Sequence, residues 1–176
     1  MNFKRGFNLR TLNNFKRVLV KKSLILVAIL FPFLYALSSW AEKGKGLSLP
    51  TGWRNYVHVK SMVIPDKNHG LYGFHHIYVN QKGLETLKKG GIYPEGTIFI
   101  GTFYDVVTEK DGSIHQGKKL FYVYMKKDKR ATETGGWRYA AFDPMGKYLQ
   151  KDVKKECYDC HLTVKDSDYI FSKFID

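Results

Sequence analysis

Residues 157–161 read Cys-Tyr-Asp-Cys-His, and Cys157 and Cys160 are the only cysteines in the chain. C-x-x-C-H is the attachment signature of a c-type haem. Two thiols at this spacing can add across the two vinyl groups of one porphyrin, and the adjoining His161 then lies under the iron as proximal ligand. Whatever fold the chain adopts must therefore hold a porphyrin against this segment. Three blander readings compete: a redox disulfide, part of a zinc site, and a chance match. A thioredoxin-like C-x-x-C follows the first strand of a βαβ unit, whereas this one sits in the last twenty residues. Structural zinc asks for four nitrogen or sulfur ligands, and no second cysteine pair exists to complete them.

The N-terminal segment agrees with haem attachment outside the cytoplasm. Residues 1–22 carry seven basic residues and no acidic one, and Ser23 to Ala41 is uncharged, ending in Ser39-Trp40-Ala41. That is the layout of a signal peptide with a small-x-small cleavage site. An uncleaved anchor is the alternative, since about 20 apolar residues span a bilayer. Either way the basic flank stays inside and the remainder is periplasmic. The expected organisation is residues 1–41 as signal or anchor and 42–176 as one haem domain, too short for two. Seven of the 29 basic residues belong to the leader, so the net charge of +13 falls to +6 without it. The remaining lysines are dispersed and form no nucleic-acid motif. A spread positive surface serves solubility or steers an acidic redox partner.

The mature part reads as mainly strand. Leu71–Val79, Thr97–Val107, Lys119–Met125 and Gly136–Phe142 are rich in aromatic and β-branched residues, and turn signals separate them. Trp53–Val63 adds a fifth strand or a short leading helix. Asn80–Lys89 predicts a helix stopped by Gly90-Gly91, and Lys147–His161 a second helix carrying the haem motif. The expected fold class is α+β, an antiparallel sheet with a few short helices, not a helical bundle.

The sixth iron position is the next question. Leu162–Asp176 contains neither Met nor His, so a second axial ligand would have to come from His58, His69, His75, His76, His115, Met62, Met125 or Met145. Neighbours on a strand face opposite ways, so at most one of His75 and His76 reaches the iron. An open distal side binds small molecules rather than only passing electrons.

Gly52-Trp-Arg-Asn-Tyr-Val-His-Val, Ile77-Tyr-Val-Asn, Pro94-Glu-Gly-Thr, Gly136-Trp, the haem motif and Tyr169-Ile-Phe-Ser-Lys-Phe174 together resemble the cytochrome P-460 family, in order and spacing, over about Leu47 to Phe174. The resemblance implies a compact antiparallel β fold, a homodimer, and one covalent haem c with His161 as proximal iron ligand. Members that oxidise hydroxylamine use a lysine, on the strand after Gly-Thr, bonded to the porphyrin. Here Gly101 stands at that place, and no lysine occurs between Gly91 and Glu109. Alternation puts Phe99, Gly101 and Phe103 on one face.

This resembles the cytochrome c′-beta branch, whose unlinked five-coordinate haem is capped by phenylalanines and binds nitric oxide. Phe103 and Phe74 are the candidates for the cap. Asp152 and His75 are polar candidates for a proton acceptor, which hydroxylamine oxidation would use. Three functions compete: handling of small nitrogenous gases, oxidation of hydroxylamine or nitric oxide, and plain electron transfer to a redox partner.

Overall fold

Each strand of the sheet pairs antiparallel with the next strand in the chain. The computed structural model describes residues 47–175, so the basic leader expected as signal or anchor lies outside the described residues. The strands are β1 (Val57–Ile64), β2 (Gly73–Val79), β3 (Ile98–Thr108), β4 (Ile114–Lys127), β5 (Trp137–Phe142) and β6 (Tyr148–Leu149), in spatial order β1 to β6. The helix α1 (Gln81–Lys89) joins β2 to β3, and a short 3₁₀ turn, Trp53–Asn55, precedes β1. The architecture is α+β, as the strand-rich sequence predicts. Among the described residues no helix is long and apolar enough to cross a membrane.

Local chemistry sets the boundaries of α1. The Asn80 side chain accepts from Gly83 N at 3.3 Å, capping the first turn. Lys88 and Lys89 occupy the last turn, where the helix dipole favours cations, and Gly90 ends it with φ 79°. Leu84 and Leu87 face the sheet. The helix approaches so closely that a Cβ on Gly83 would lie 2.5 Å from Thr97 and 2.7 Å from Val79. Only glycine fits there.

The sheet is covered on both faces. One face, bearing Val79, Phe99, Met125, Trp137 and Tyr139, packs against Leu84 and Leu87 of α1, Tyr93 and Ile170, with Val153, Cys157, Tyr158 and Tyr169 added from the C-terminal segment. The other face, bearing Ile100, Tyr122, Tyr124, Ala140 and Phe142, packs under Trp53, Leu47, Leu49 and Tyr148. The haem motif thus sits on the first of these faces.

One helix boundary needs correcting. Helical structure was expected from Lys147, yet Tyr148 and Leu149 form β6, pairing with Phe142 and Ala141. Asp143 makes this register: its backbone N donates to Lys147 O, and its side chain accepts from Met145 N and Lys147 N. That closed turn sends the chain back along β5 before any helix can start. Helical backbone begins at Val153, runs through a π turn at Lys154–Tyr158 and one α turn at Asp159–His161, and tightens to 3₁₀ over Leu162–Ser167.

Candidate haem site

Asp152 opens the helical segment that carries the motif. Its Oδ1 accepts from Lys155 N at 3.3 Å, while Glu156 Oε1 accepts from Asp152 N at 3.3 Å. Asp152 is exposed and works as a helix cap; it does not join the sheet face where His75 lies. Cys157 and Cys160 follow within one turn, and no disulfide joins them. Burial pushes the Cys157 thiol up to about 11, with the neighbouring Glu156 carboxylate adding to the rise. Among the described residues no three His, Cys, Asp or Glu side chains are grouped to hold a bare metal ion.

His161 is oriented by a single strong hydrogen bond. Its Nδ1–H donates to Tyr169 O at 2.6 Å, and because a carbonyl only accepts, Nδ1 carries the proton. Nε2 is then left with its lone pair, the form in which imidazole binds iron. Burial holds the ring below its ordinary pKa against the pull of that bond, so it is neutral near pH 7. The ring sits 5.3 Å from that of Tyr139 and 5.1 Å from that of Phe171.

Two features beside His161 ask for a further group. Tyr139 is buried, yet its hydroxyl has no hydrogen-bond partner, an expensive condition for a buried phenol. Leu162 and Phe171, flanking the motif, are exposed apolar side chains. Two thiols, a free imidazole nitrogen, an orphaned hydroxyl and apolar side chains together fit a covalently attached haem. Cys157 and Cys160 would hold it, and His161 would ligate its iron.

Further along the same sheet face lies a row of rings. His75 of β2 pairs with Phe103 of β3, and Phe103 with Phe121 of β4. The Phe103 ring is 4.0 Å from His75 and stacked 4.3 Å from Phe121. His75 is 2% exposed, and its Nε2–H donates to Leu71 O at 2.8 Å. Burial holds its pKa below the ordinary histidine value, against the carbonyls of Leu71 and Tyr72, so it is a neutral, tethered ring. In the adjacent row Ile77, Gly101 and Val123 stand side by side. A Cβ on Gly101 would lie 2.6 Å from Val123 Cγ2, 3.1 Å from Phe103 Cε2 and 3.2 Å from Ile77 Cδ1. The place is filled by its neighbours.

The sequence candidates separate accordingly. Gly101, Phe103 and His75 come together on the haem-motif face. Phe99 shares that face but packs into the core against Tyr93 and Trp137. Phe74 does not join them: it pairs with Tyr104 and lies beside His76 on the opposite face, because it is one residue out of phase with His75. His58 and His76 share that opposite face, linked through Ser61. His115 bonds Glu109 at the surface, and Met145 is fully exposed. Met125 is in the core and Met62 pairs with His75. Sequence reasoning missed Phe121, Tyr139, Phe171 and the Tyr169 carbonyl; the alternation of Lys119–Met125 offered a signal for Phe121 alone.

The family model for cytochrome P460 matches residues 50–172. The chain belongs to the cytochrome P460 family. Membership makes it a haem-containing cytochrome. No curated protein matches the chain. In this cytochrome the family match runs from the turn before β1, through the whole sheet, to the residues just beyond the Tyr169 carbonyl.

Proposed function

We propose that this protein is an exported cytochrome whose haem c, attached at Cys157 and Cys160 and ligated by His161, binds nitric oxide or a similar small nitrogenous gas on an apolar distal side. When bound, the haem would supply an iron able to take up a small gas. The observation that carries this reading is the closed place at Gly101. A linking lysine has no side chain to start from there, and Val123, Phe103 and Ile77 occupy the space it would use. Lys127, whose strand partner is Trp137 of the same face, is tied to Asp168 at 2.5 Å. The chain's own residues would hold and orient the group and exclude water. The His75–Phe103–Phe121 rings, Ile77 and Val123 would present no free hydrogen-bond donor, since His75 Nε2–H is engaged with Leu71. A polar or anionic ligand desolvated there without a partner loses about 1–3 kcal/mol, so apolar gases are favoured over hydroxylamine.

The test begins with haem retention. Acid-acetone should leave the haem on the purified wild-type protein, and Cys157→Ala/Cys160→Ala should lose it. Mass spectrometry of the haem peptide should show thioether bonds to those two cysteines and no link to lysine. The ferrous protein should be high-spin, five-coordinate, and able to bind nitric oxide and carbon monoxide without displacing a side chain. A third covalent link would restore hydroxylamine oxidation. A low-spin resting spectrum would move electron transfer to the front.

A further inference from the structure

The carbonyl that takes the His161 proton is delivered by an unusual turn. Asp168 has φ 48° and Tyr169 φ 67°, two successive residues with side chains in the left-handed region, which L-residues disfavour. Such conformations persist where surrounding contacts over-determine them. Here those contacts come from Asp168 itself, whose side chain is buried at 4% exposure. Its Oδ1 accepts from Lys127 Nζ at 2.5 Å and from Trp137 Nε1 at 3.4 Å, and its Oδ2 from Tyr93 N at 2.8 Å. Lys127, at the end of β4, is 12% exposed, with Nζ 4.9 Å from the centre of the Trp137 ring. On the other side the Tyr169 ring lies against Gly135 so closely that a Cβ there would overlap it. Tyr169 N donates to Val164 O at 3.1 Å. The turn is thus clamped to β4, β5 and the loop between them, and its free carbonyl points at His161 Nδ1.

A buried ion pair is weak evidence for stability, because desolvating two charges offsets most of their attraction. Its use is better sought in the geometry it enforces. We propose that the buried Asp168–Lys127 pair is a positioning device for the proximal histidine, fixing the Tyr169 carbonyl on His161 Nδ1 and so setting how strongly Nε2 donates to the iron. A short Nδ1–H···O=C bond raises the basicity of the ligating nitrogen and fixes the ring plane. Asp168 and Lys127 touch neither ligand nor iron; they act through Tyr169 and His161. The inference rests on the haem reading above.

The experiment uses the haem-loaded protein and two variants. Asp168→Asn keeps the shape and an acceptor for Tyr93 but removes the charge that holds Lys127. Lys127→Met/Asp168→Asn removes both charges at similar volume, a change that buried pairs often tolerate, and it carries the test should the single variant fold poorly. Resonance Raman of the ferrous protein reads the iron–histidine stretch, the vibration that Nε2 donation sets. The stretch should move to lower frequency in both variants, the shift expected when the ligating nitrogen becomes less basic. Thermal unfolding is followed in parallel. A normal wild-type band that neither variant moves, with only the unfolding midpoint lowered, would overturn the inference and leave the pair a packing feature. A wild-type protein that carries no haem, or whose haem shows no iron–histidine band, would overturn the five-coordinate haem reading above, and the inference with it.

Discussion

Replacing Gly101 with alanine asks whether the lysine's place is closed or merely vacant. The new Cβ would sit 2.6 Å from Val123 Cγ2, whereas carbon atoms in contact prefer about 3.5–4.0 Å. The valine methyl must therefore retreat by about 1 Å. Val123 is β-branched and stiff at χ1, and it is fixed between Gly101 of β3 and Ala141 of β5. Phe103 and Ile77, at 3.1 and 3.2 Å, need shift only slightly. Overpacking of this kind costs about 1–3 kcal/mol. Against it stands the roughly 0.5–1 kcal/mol by which glycine weakens a strand interior relative to alanine.

The net expectation is a loss of about 1–2 kcal/mol, or about 3–8 °C in unfolding midpoint for a domain of this size. Urea unfolding of the haem-loaded protein, followed by far-UV circular dichroism, measures it. Val123→Ala in the same chain should relieve the clash, giving a coupling of about 1–2 kcal/mol in a double-mutant cycle. If Gly101→Ala is neutral or stabilising and uncoupled from Val123, the place is open, and the steric argument against a cross-linking lysine fails.

Other substitutions probe the same face. Phe103→Ala removes a ring packed between His75 and Phe121, so it should cost about 3–5 kcal/mol; in protein that still folds, it should speed nitric oxide association by flash photolysis. Phe74→Ala, on the opposite face, should leave that rate unchanged. His75 is held neutral, so the unfolded chain takes up a proton that the folded one refuses. Stability of the haem-loaded protein should thus be flat above about pH 6.5 and fall as pH drops below it, and comparing urea midpoints at pH 8 and 5 with those of His75→Gln should show a smaller acid loss in the variant. Asp128, buried between Arg130 and Arg138, is held well below the ordinary carboxylate range, chiefly by the Arg130 side chain; Asp128→Asn should lower the thermal midpoint by several degrees, and an unchanged midpoint would show the pair to be idle.

Most of the sheet was legible because its strands alternate and its turns carry Pro, Gly and Asp. What stayed illegible depends on register. Both faces of β2 hold aromatic or apolar side chains: Phe74, His76 and Tyr78 on one, His75, Ile77 and Val79 on the other. Composition alone therefore cannot say which set looks toward Gly101. Pairing with β3 decides it, and Phe74 falls on the far side. The C-x-x-C-H motif can be read directly because it is local, five residues long. The Asp168 clamp was not, because its partners Tyr93, Lys127 and Trp137 lie 75, 41 and 31 residues away. Likewise β6 depends on Asp143 closing a turn onto Lys147, whereas the sequence from Lys147 onward has helical spacing.

A sheet whose strands pair only with their neighbours in the chain has an assembly order built into it. Loops between such strands are short to close, so the cost of each pairing is met locally. As the chain emerges, β1 to β5 can zip in sequence before residues 154–167 arrive. The receiving surface is thus finished before the segment that bears the thiols comes down on it. Pulse-labelled hydrogen exchange should find β2–β4 amides protected ahead of those around Cys157. Attachment would then be the last act of folding rather than its nucleus, and the two cysteines would stay within reach of whatever delivers the porphyrin until everything else is in place.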